Sequence, residues 1–311
     1  MKTLTQTEPI TDGQKKQITR MISDVADSDP VQKVLNALSK KGAEQLKRNP
    51  AFAESLRQFA IEKMNEFGVV NEYANEEVAS KYGYHSGYKK PVDLNAQCNK
   101  LRELFSGLGF ANRDLLTQIE KGEVKLPQNA EGWFVIPNWK KNPKIFGSTY
   151  SQAVDIILGT IKKARDGSFY NNRDGQIDVE HLCQSARSKK FWNDLAKAQG
   201  DADILIIAAQ FGLRHRGRSV RRARVVMEDS GSEYGLGTFA VGTMLLMNPI
   251  RLKHYDDLWI DCPGDEWSPD ADGVFSLSPG FKFGVGGVEF FANAVDFIHD
   301  LYGSASGFPP Q

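Results

Sequence analysis

The feature that most constrains the fold is a run of six apolar residues, 204–209, that leads into a segment dense in arginine. Asp201 and Asp203 precede the run, and Gly212 follows it. A short, isoleucine-rich run with such boundaries predicts a β-strand that is covered on both faces. The chain is therefore expected to build a sheet with packing on each side and to carry the arginines beyond the end of this strand.

The arginine segment, residues 214–224, contains six arginines and one histidine. Within it, Ser219 directly precedes an apolar-periodic stretch and is predicted to cap a helix. Val220, Ala223 and Met227 follow at i, i+3 and i+7, which places them on one inward-facing stripe. A loop that leads into a helix N-terminus presents unpaired backbone N–H groups and the positive end of the helix dipole, so the segment favours an anion.

Arginine suits this role because its planar guanidinium group binds phosphate or carboxylate through two parallel hydrogen bonds. Gly212 and Gly217 interrupt the segment and allow backbone to come close to a ligand. The sequence therefore predicts a phosphate-binding site. Its predicted ligands are Arg214, Arg216, Arg218, Arg221 and Arg222.

An internal role for the same arginines is equally consistent with the sequence. The acidic segment, residues 256–272, holds seven Asp and Glu residues and no Lys or Arg. Arginine is also the usual cation of internal ion pairs, so the two segments are candidates to pair with each other inside the fold. Both alternatives remain open at this point.

The acidic segment supports two further hypotheses. Carboxylates after a short predicted strand at 258–260 offer the oxygen ligands that Mg²⁺ or Mn²⁺ prefer, and a nearby histidine would suit metal-assisted phosphoester hydrolysis. The catalytic residues of that alternative are His215, Asp261, Asp265 and Glu266. No nuclease or phosphatase motif is complete, and outside this alternative we expect no metal or cofactor. The other hypothesis is an adaptor or inhibitor whose acidic C-terminal part binds a basic protein.

Composition limits the class of protein. The formal net charge is +0, so the chain is not a generally basic protein that coats nucleic acid, and such binding needs a local patch. Three widely spaced cysteines argue against a disulfide framework and favour the cytoplasm. The longest apolar stretch, 236–247, is too short to cross a membrane and predicts a buried helix.

The predicted fold class is α+β, with a helical region at 1–90 and a mixed domain at 91–311 that carries a small sheet, the buried strand and a C-terminal hairpin. The predicted boundary, 82–91, mixes three tyrosines with two lysines. A second basic-aromatic cluster joins Trp139 to Lys140, Lys141 and Lys144, and it suits either a backbone-binding groove or a solvated loop. Helices are predicted at 11–27, from Pro30, at 50–67, 75–82, 93–105, 112–121, 149–164, 179–199 and 293–302, and strands at 132–137, 275–283 and 288–291.

These features together favour a non-enzymatic cytoplasmic protein that binds nucleic acid or a nucleoprotein complex. The arginine segment is expected to contact phosphate, and the tyrosine and tryptophan clusters are expected to assist it.

Overall fold

A computed structural model describes residues 49–52, 54–55 and 72–310. The chain divides into two compact units at residues 74 and 75, so residues 75–90 belong to the second unit together with the mixed domain. In the first unit, residues 50–52 and 54–55 are helical, and the Asn49 side chain accepts a hydrogen bond from the backbone N–H of Ala51 at 3.0 Å. This agrees with a helix starting at Asn49–Pro50. The helices predicted at 11–27 and from Pro30 lie outside the described residues.

Within residues 75–310, helices cover the edges and faces of two sheets, and the α+β class is confirmed. The helices are α1 Leu94–Leu104, α2 Arg113–Glu120, α3 Pro143–Phe146, α4 Tyr150–Ala164, α5 Ala186–Ala198, α6 Val220–Asp229 and α7 Thr238–Met247, with short 3₁₀ helices at Leu213–His215 and Pro249–Arg251. The strands are β1 Gly132–Pro137, β2 Phe169–Asn171, β3 Leu182–Gln184, β4 Ile204–Gln210, β5 Tyr234–Gly235, β6 Trp259–Asp261, β7 Asp265–Trp267, β8 Leu277–Gly284, β9 Gly287–Ala294, β10 Tyr302–Ser304 and β11 Ser306–Phe308.

The predicted central strand is β4, and all seven of its residues are buried. It lies in a four-stranded sheet with the order β1-β4-β11-β5, antiparallel to both of its neighbours. β11 comes from the last residues of the chain and separates β4 from β5. Gly307 in β11 allows this close packing, because a Cβ atom there would lie 2.4 Å from Cδ1 of Ile207.

The second sheet has seven strands and is organised around the β8–β9 hairpin, which the sequence predicts. β8 pairs with β6 and β7 on its other edge, β10 extends the sheet beyond β6, and β3 extends it beyond β7. The α7 helix is buried at all ten positions and packs on α4, where a Cβ atom at Gly242 would lie 2.6 Å from Cγ2 of Ile157. The buried helix predicted at 236–247 is therefore confirmed.

Two helix predictions are wrong because the backbone of both stretches pairs with segments that are distant in the sequence. The stretch 75–82 is not helical, since Glu77 forms an antiparallel bridge with Arg218 and the Val78 N–H donates to the carbonyl of Gly217 at 2.8 Å. The stretch 293–302 enters β9 at its start and β10 at its end. Local capping signals were outweighed by tertiary pairing in both cases.

A third helix prediction is only partly correct. The helix predicted at 179–199 begins at Ala186, because residues 182–184 form β3 and Ser185 provides the N-cap. The remaining predicted helices at 93–105, 112–121 and 149–164 are confirmed to within a few residues as α1, α2 and α4. The capping box at Thr149 fixes the start of α4.

Candidate nucleic-acid interface

The segment after β4 folds as predicted, through a 3₁₀ turn into α6. The Ser219 hydroxyl accepts a hydrogen bond from the backbone N–H of Arg222 at 3.1 Å and so caps the helix. Gly212 and Gly217 have φ angles of 128° and 75°, and added Cβ atoms would lie 2.6 Å and 2.1 Å from the carbonyl oxygens of Gly303 and Val78. These glycines therefore admit the protein's own backbone at those positions.

Three of the predicted phosphate ligands contact glutamates at the start of the second unit. Arg222 is fully buried, and its Nε lies 2.5 Å from a carboxylate oxygen of Glu77. Arg218 is 8% exposed, and its Nε lies 3.2 Å from the other oxygen of Glu77. Arg221 binds the carboxylate of Glu76, and its hydrogen bonds, despite the cost of burial, hold the Glu76 pKa below its usual range.

Arg214 and His215 converge on one buried carboxylate, that of Glu233. Arg214 Nε donates to one oxygen at 2.8 Å, His215 Nε2 lies 2.8 Å from the other, and the Ser306 hydroxyl also donates to it. His215 Nδ1 faces a guanidinium nitrogen of Arg218 at 3.0 Å, so it must accept, and the proton resides on Nε2. The imidazole is thus neutral, in keeping with burial, which lowers the His215 pKa.

Among the five predicted phosphate ligands, Arg216 is the exposed one. Its guanidinium donates to the carbonyl of Tyr82 at 3.1 Å. A guanidinium held in a buried pair cannot turn to an external phosphate without leaving its glutamate uncompensated. The geometry therefore places Arg214, Arg218, Arg221 and Arg222 in pairs with the protein's own carboxylates. The partners are Glu233, Glu76 and Glu77 and not the acidic segment that the interior alternative named. Direct phosphate contact by the arginine segment stays a prediction, and the fold favours it most at Arg216.

Arg224 is where the arginine segment meets the acidic segment, but the contact is to backbone carbonyls and is not the predicted ion pair with a carboxylate. Its guanidinium donates to the backbone carbonyls of Pro263 and Asp265 at 2.9 Å and 2.7 Å. Burial raises the pKa of Asp261 to about 7, and the charge of Arg224 opposes that rise. The carboxylates that bind the other arginines, Glu76, Glu77 and Glu233, lie outside the acidic segment.

Three of the four residues of the hydrolase alternative, Asp261, Asp265 and Glu266, lie close enough to Arg224 for their charges to oppose the lowering of its pKa by burial, and the fourth, His215, lies apart from them. His215 belongs to the Glu233 network, whereas the carboxylate of Asp265 is buried and accepts from the Tyr150 hydroxyl at 2.8 Å and from the Thr238 N–H at 2.6 Å. Glu266 is half-buried, with the Cys183 thiol at 3.8 Å. In the part of the chain that the structure describes, no group of three or more His, Cys, Asp or Glu residues could hold a metal ion.

The acidic segment also presents less charge to solvent than its sequence suggests. Asp257, Asp261 and Asp265 are buried, and Asp257 accepts backbone N–H groups from Ser86, Lys253 and His254. The exposed acids of the segment are Asp256, Asp270 and Asp272. This smaller acidic surface gives little support to docking of a basic protein.

The tyrosines of the predicted 82–91 boundary also turn inward. Tyr88 is 5% exposed, and the Tyr84 hydroxyl bonds to Glu131 while the Arg251 guanidinium lies 3.7 Å from the Tyr84 ring centroid. These rings pack in the domain and are not arranged for base stacking. The other basic-aromatic cluster, at Trp139, lies at a cleft that opens to solvent.

Trp139 follows β1 and forms one wall of a cleft that opens to solvent, which we call the basic-aromatic cleft. Its outer part is about 250 Å³ and is bounded by Trp139, Lys140, Tyr150 and Lys189. A smaller neighbouring cavity of about 30 Å³ shares Trp139, Lys140 and Tyr150 with it and is also lined by Trp192 of α5. The Trp139 and Tyr150 ring centroids are 5.8 Å apart. The cleft therefore exposes half-buried aromatic surface beside two lysines.

The lysines of this cleft lie close together without an acidic partner. Burial and then the charge of Lys189 lower the pKa of Lys140 below its usual range. The Lys140 ammonium donates to the neutral side chain of Asn193 at 2.7 Å and lies 5.5 Å from the Trp139 ring centroid. Neither lysine forms an ion pair with any residue that the structure describes. Two adjacent, uncompensated cations are an arrangement that a bound anion would stabilise.

Part of the basic-aromatic cleft could be found from the sequence and part was missed. The cluster at Trp139 and Lys140 was identified, whereas Lys189 and Trp192 were not. The same signal, lysines beside an aromatic residue, is present in Lys189-Lys190-Phe191-Trp192. Nothing in the sequence links this stretch to Trp139, because the packing of α5 brings the two together.

The fold and the cleft define an α+β protein with a basic-aromatic surface. No protein-family model, curated protein or solved structure matches the chain. Among the described residues, no helix is long and apolar enough to cross a membrane.

Proposed function

We propose that this chain is a non-enzymatic protein that binds single-stranded nucleic acid, alone or within a nucleoprotein complex, at the basic-aromatic cleft. The observation that carries the proposal is the pair Lys140 and Lys189, which lie close together beside Trp139 with no carboxylate between them. Lysines that track a phosphate backbone beside rings that stack on bases are the usual means of binding single strands.

The dimensions of the cleft favour a single strand over a duplex. The outer part of the cleft, about 250 Å³, offers space for an unstacked base beside the Trp139 ring, but a base inside a duplex cannot reach that ring without leaving its stack. The aromatic rings make contact with any base, because every base has a π-face. We therefore expect little dependence on sequence and a strong dependence on salt.

The direct test is fluorescence anisotropy with a labelled oligothymidylate and with the same sequence as a duplex. Wild-type protein should bind the single strand more tightly. Trp139→Ala should weaken binding by roughly 5- to 150-fold, the range found when one stacking ring is lost. Replacement of Lys140 and Lys189 by Ala should reduce the slope of log affinity against log salt concentration by about 1.4, or about 0.7 for each phosphate that is no longer neutralised.

Matched controls come from exposed residues away from the cleft. Tyr170→Ala removes an aromatic side chain that is 63% exposed, and Lys125→Ala removes an exposed lysine. Both variants should bind like wild type. The proposal is overturned if wild type fails to bind at low salt, or if the Trp139 and lysine variants match these controls. Arg216→Ala in the same assay tests the phosphate contact predicted for the arginine segment.

The proposed location is the cytoplasm. Cys98, Cys183 and Cys262 all carry free thiols, as is usual in a reducing compartment. Fractionation of cells that express the tagged full-length chain tests this part of the proposal.

A further inference from the structure

A second basic-aromatic feature lies between α1 and α2. Phe110 is 54% exposed, and two guanidinium groups lie against its ring, with Arg102 at 4.2 Å and Arg113 at 5.6 Å from the ring centroid. A cavity of about 300 Å³ opens beside these three residues.

The backbone around Phe110 is fixed by the start of β4. The Phe110 carbonyl accepts hydrogen bonds from the N–H groups of Asp203 and Ile204 at 3.1 Å and 3.3 Å, and Ala111 forms a bridge with Ile204. Gly109 packs so closely that a Cβ atom would lie 2.2 Å from a carboxylate oxygen of Asp203. The ring is thus held at the surface by a rigid backbone, although burial would be favourable for a side chain of this type.

Among the described residues, the two arginines have no competing partner. Neither guanidinium has a hydrogen bond or ion pair with a described residue. A guanidinium that stacks on a ring keeps the N–H groups at its edge available for phosphate, and its outer face can stack on a base. Arginines beside an exposed aromatic ring are the composition of single-strand binding surfaces.

Asp203 connects this feature to the basic-aromatic cleft. Its carbonyl accepts from the Asn138 N–H at 2.8 Å, one residue before Trp139, while its N–H donates to Phe110. Its carboxylate lies 3.6 Å from the ammonium of Lys141. The two features therefore flank the beginning of β4, with Lys141 between them, and Asp203 is the acidic side chain at this junction.

We infer that Arg102, Phe110 and Arg113 form a second subsite for the same strand, so that one single-stranded nucleic acid crosses the start of β4 and occupies both sites. This inference rests on the proposed function of the cleft. It adds a requirement on the length of the ligand, because a strand bound at the cleft that is too short to reach the second subsite gains no affinity from it. Linkage of two contacts through one strand raises affinity when the strand is long enough to span them.

The experiment measures the binding of labelled oligothymidylates in a series from about 4 to about 16 nucleotides, a range that covers known single-strand site sizes. Wild-type affinity should rise at the length that first spans both sites. Phe110→Ala, and separately Arg102→Gln with Arg113→Gln, should weaken binding of the longest strand by at least about 5-fold while leaving the shortest strand unchanged. Tyr170→Ala and Lys125→Gln serve as exposed aromatic and cationic controls.

The outcomes separate the two proposals. If Trp139→Ala weakens binding at every length but the Phe110 and arginine variants bind long strands like wild type, the second subsite is overturned and the cleft stands. If wild type binds no strand of any length, the proposed function is overturned and the second subsite with it. Equal melting temperatures of all variants would show that lost binding does not reflect unfolding.

Discussion

At the level of single residues, ionisation of a buried carboxyl group raises or lowers stability according to the partners of that group. Asp261 is 5% exposed, and burial raises its pKa to about 7, while Asp265 is fully buried with a pKa raised to about 6. The pKa of Glu233 is lowered instead. Burial alone would raise it, but hydrogen bonds from His215 and Ser306 and the charge of Arg214 lower it. The first two carboxyl groups cost stability when ionised, and the third gives stability when ionised.

Replacement of Asp261 by Asn should stabilise the protein at alkaline pH. The folded state holds the Asp261 proton more tightly than the unfolded chain, so the penalty for ionising the buried carboxyl is absent below pH 3.8 and complete above about pH 7. The free energy of unfolding of Asp261→Asn should exceed that of wild type by on the order of 2–4 kcal/mol at pH 8. The difference should shrink as the pH falls towards 4. Denaturant unfolding across this pH range measures it.

The matched control for this prediction is Asp270→Asn, which changes an exposed carboxyl in the same acidic segment. Its stability should follow wild type at every pH. If Asp261→Asn is less stable than wild type at pH 8, the carboxylate makes a net favourable contribution and the prediction is wrong.

Loss of the buried Glu233 carboxylate should destabilise the fold. Glu233→Gln preserves the shape of the side chain but leaves Arg214 without its ion partner, and the amide cannot accept from both Arg214 and His215 as the carboxylate does. Breaking a buried pair on one side costs about 3 kcal/mol or more. Thermal unfolding measures the effect. Glu228→Gln, at an exposed position of α6, should change little, and a Glu233 variant as stable as that control would contradict the prediction.

At the level of elements, strong local signals placed most helices and strands. β1, β4 and the β8–β9 hairpin follow the predicted apolar runs and glycine turn, and Ser219 caps α6 as predicted. The helix predicted at 149–164 is α4, and Thr149 provides its cap. The failures fall where short strands pair with distant segments, as at β3 and β10. β3 and β10 are three residues long and carry little periodicity, and their conformation is fixed by their partners. β6 has the same length but was predicted from its apolar run at 258–260.

The packing of β11 against β4 yields a prediction at this level. Gly307→Ala would place a Cβ atom 2.4 Å from Ile207 and 2.9 Å from a methyl group of Leu236, in a region with no space to relax. Overpacking of this kind costs about 1–3 kcal/mol, which chemical denaturation should detect. Gly286→Ala in the β8–β9 turn, where an added Cβ atom meets nothing within 4 Å, should be close to neutral. Equal effects at both positions would show that the contact at Gly307 relaxes freely.

At the level of the whole molecule, the last strand completes the central sheet. β11 hydrogen-bonds to β4 on one side and to β5 on the other, and Phe308 is 5% exposed. A chain truncated after Ala305 would leave both neighbours with unpaired backbone groups and would expose the core beneath them. We expect this truncation to abolish cooperative thermal unfolding and to remove hydrogen-exchange protection from β4.

Truncation after Pro309 provides the comparison, because it retains β11 and removes only two residues. That chain should unfold with a melting temperature near that of the full chain. If the chain that ends at Ala305 also unfolds cooperatively and keeps β4 protected, then β11 is dispensable and the four-stranded sheet does not depend on it.

The sequence by itself determined the α+β class, the buried central strand, the capped helix after it and the cluster at Trp139, since each depends on residues a few positions apart. Only the tertiary structure decided what the arginines do and where the aromatic surface lies. Glu76 and Glu77 are 145 residues from their partners Arg221 and Arg222. Lys189 reaches the cleft from α5, whereas Lys140 lies in the turn after β1. Charge clusters in a sequence show that compensation is needed, but the folded chain decides whether that compensation comes from within or from a ligand.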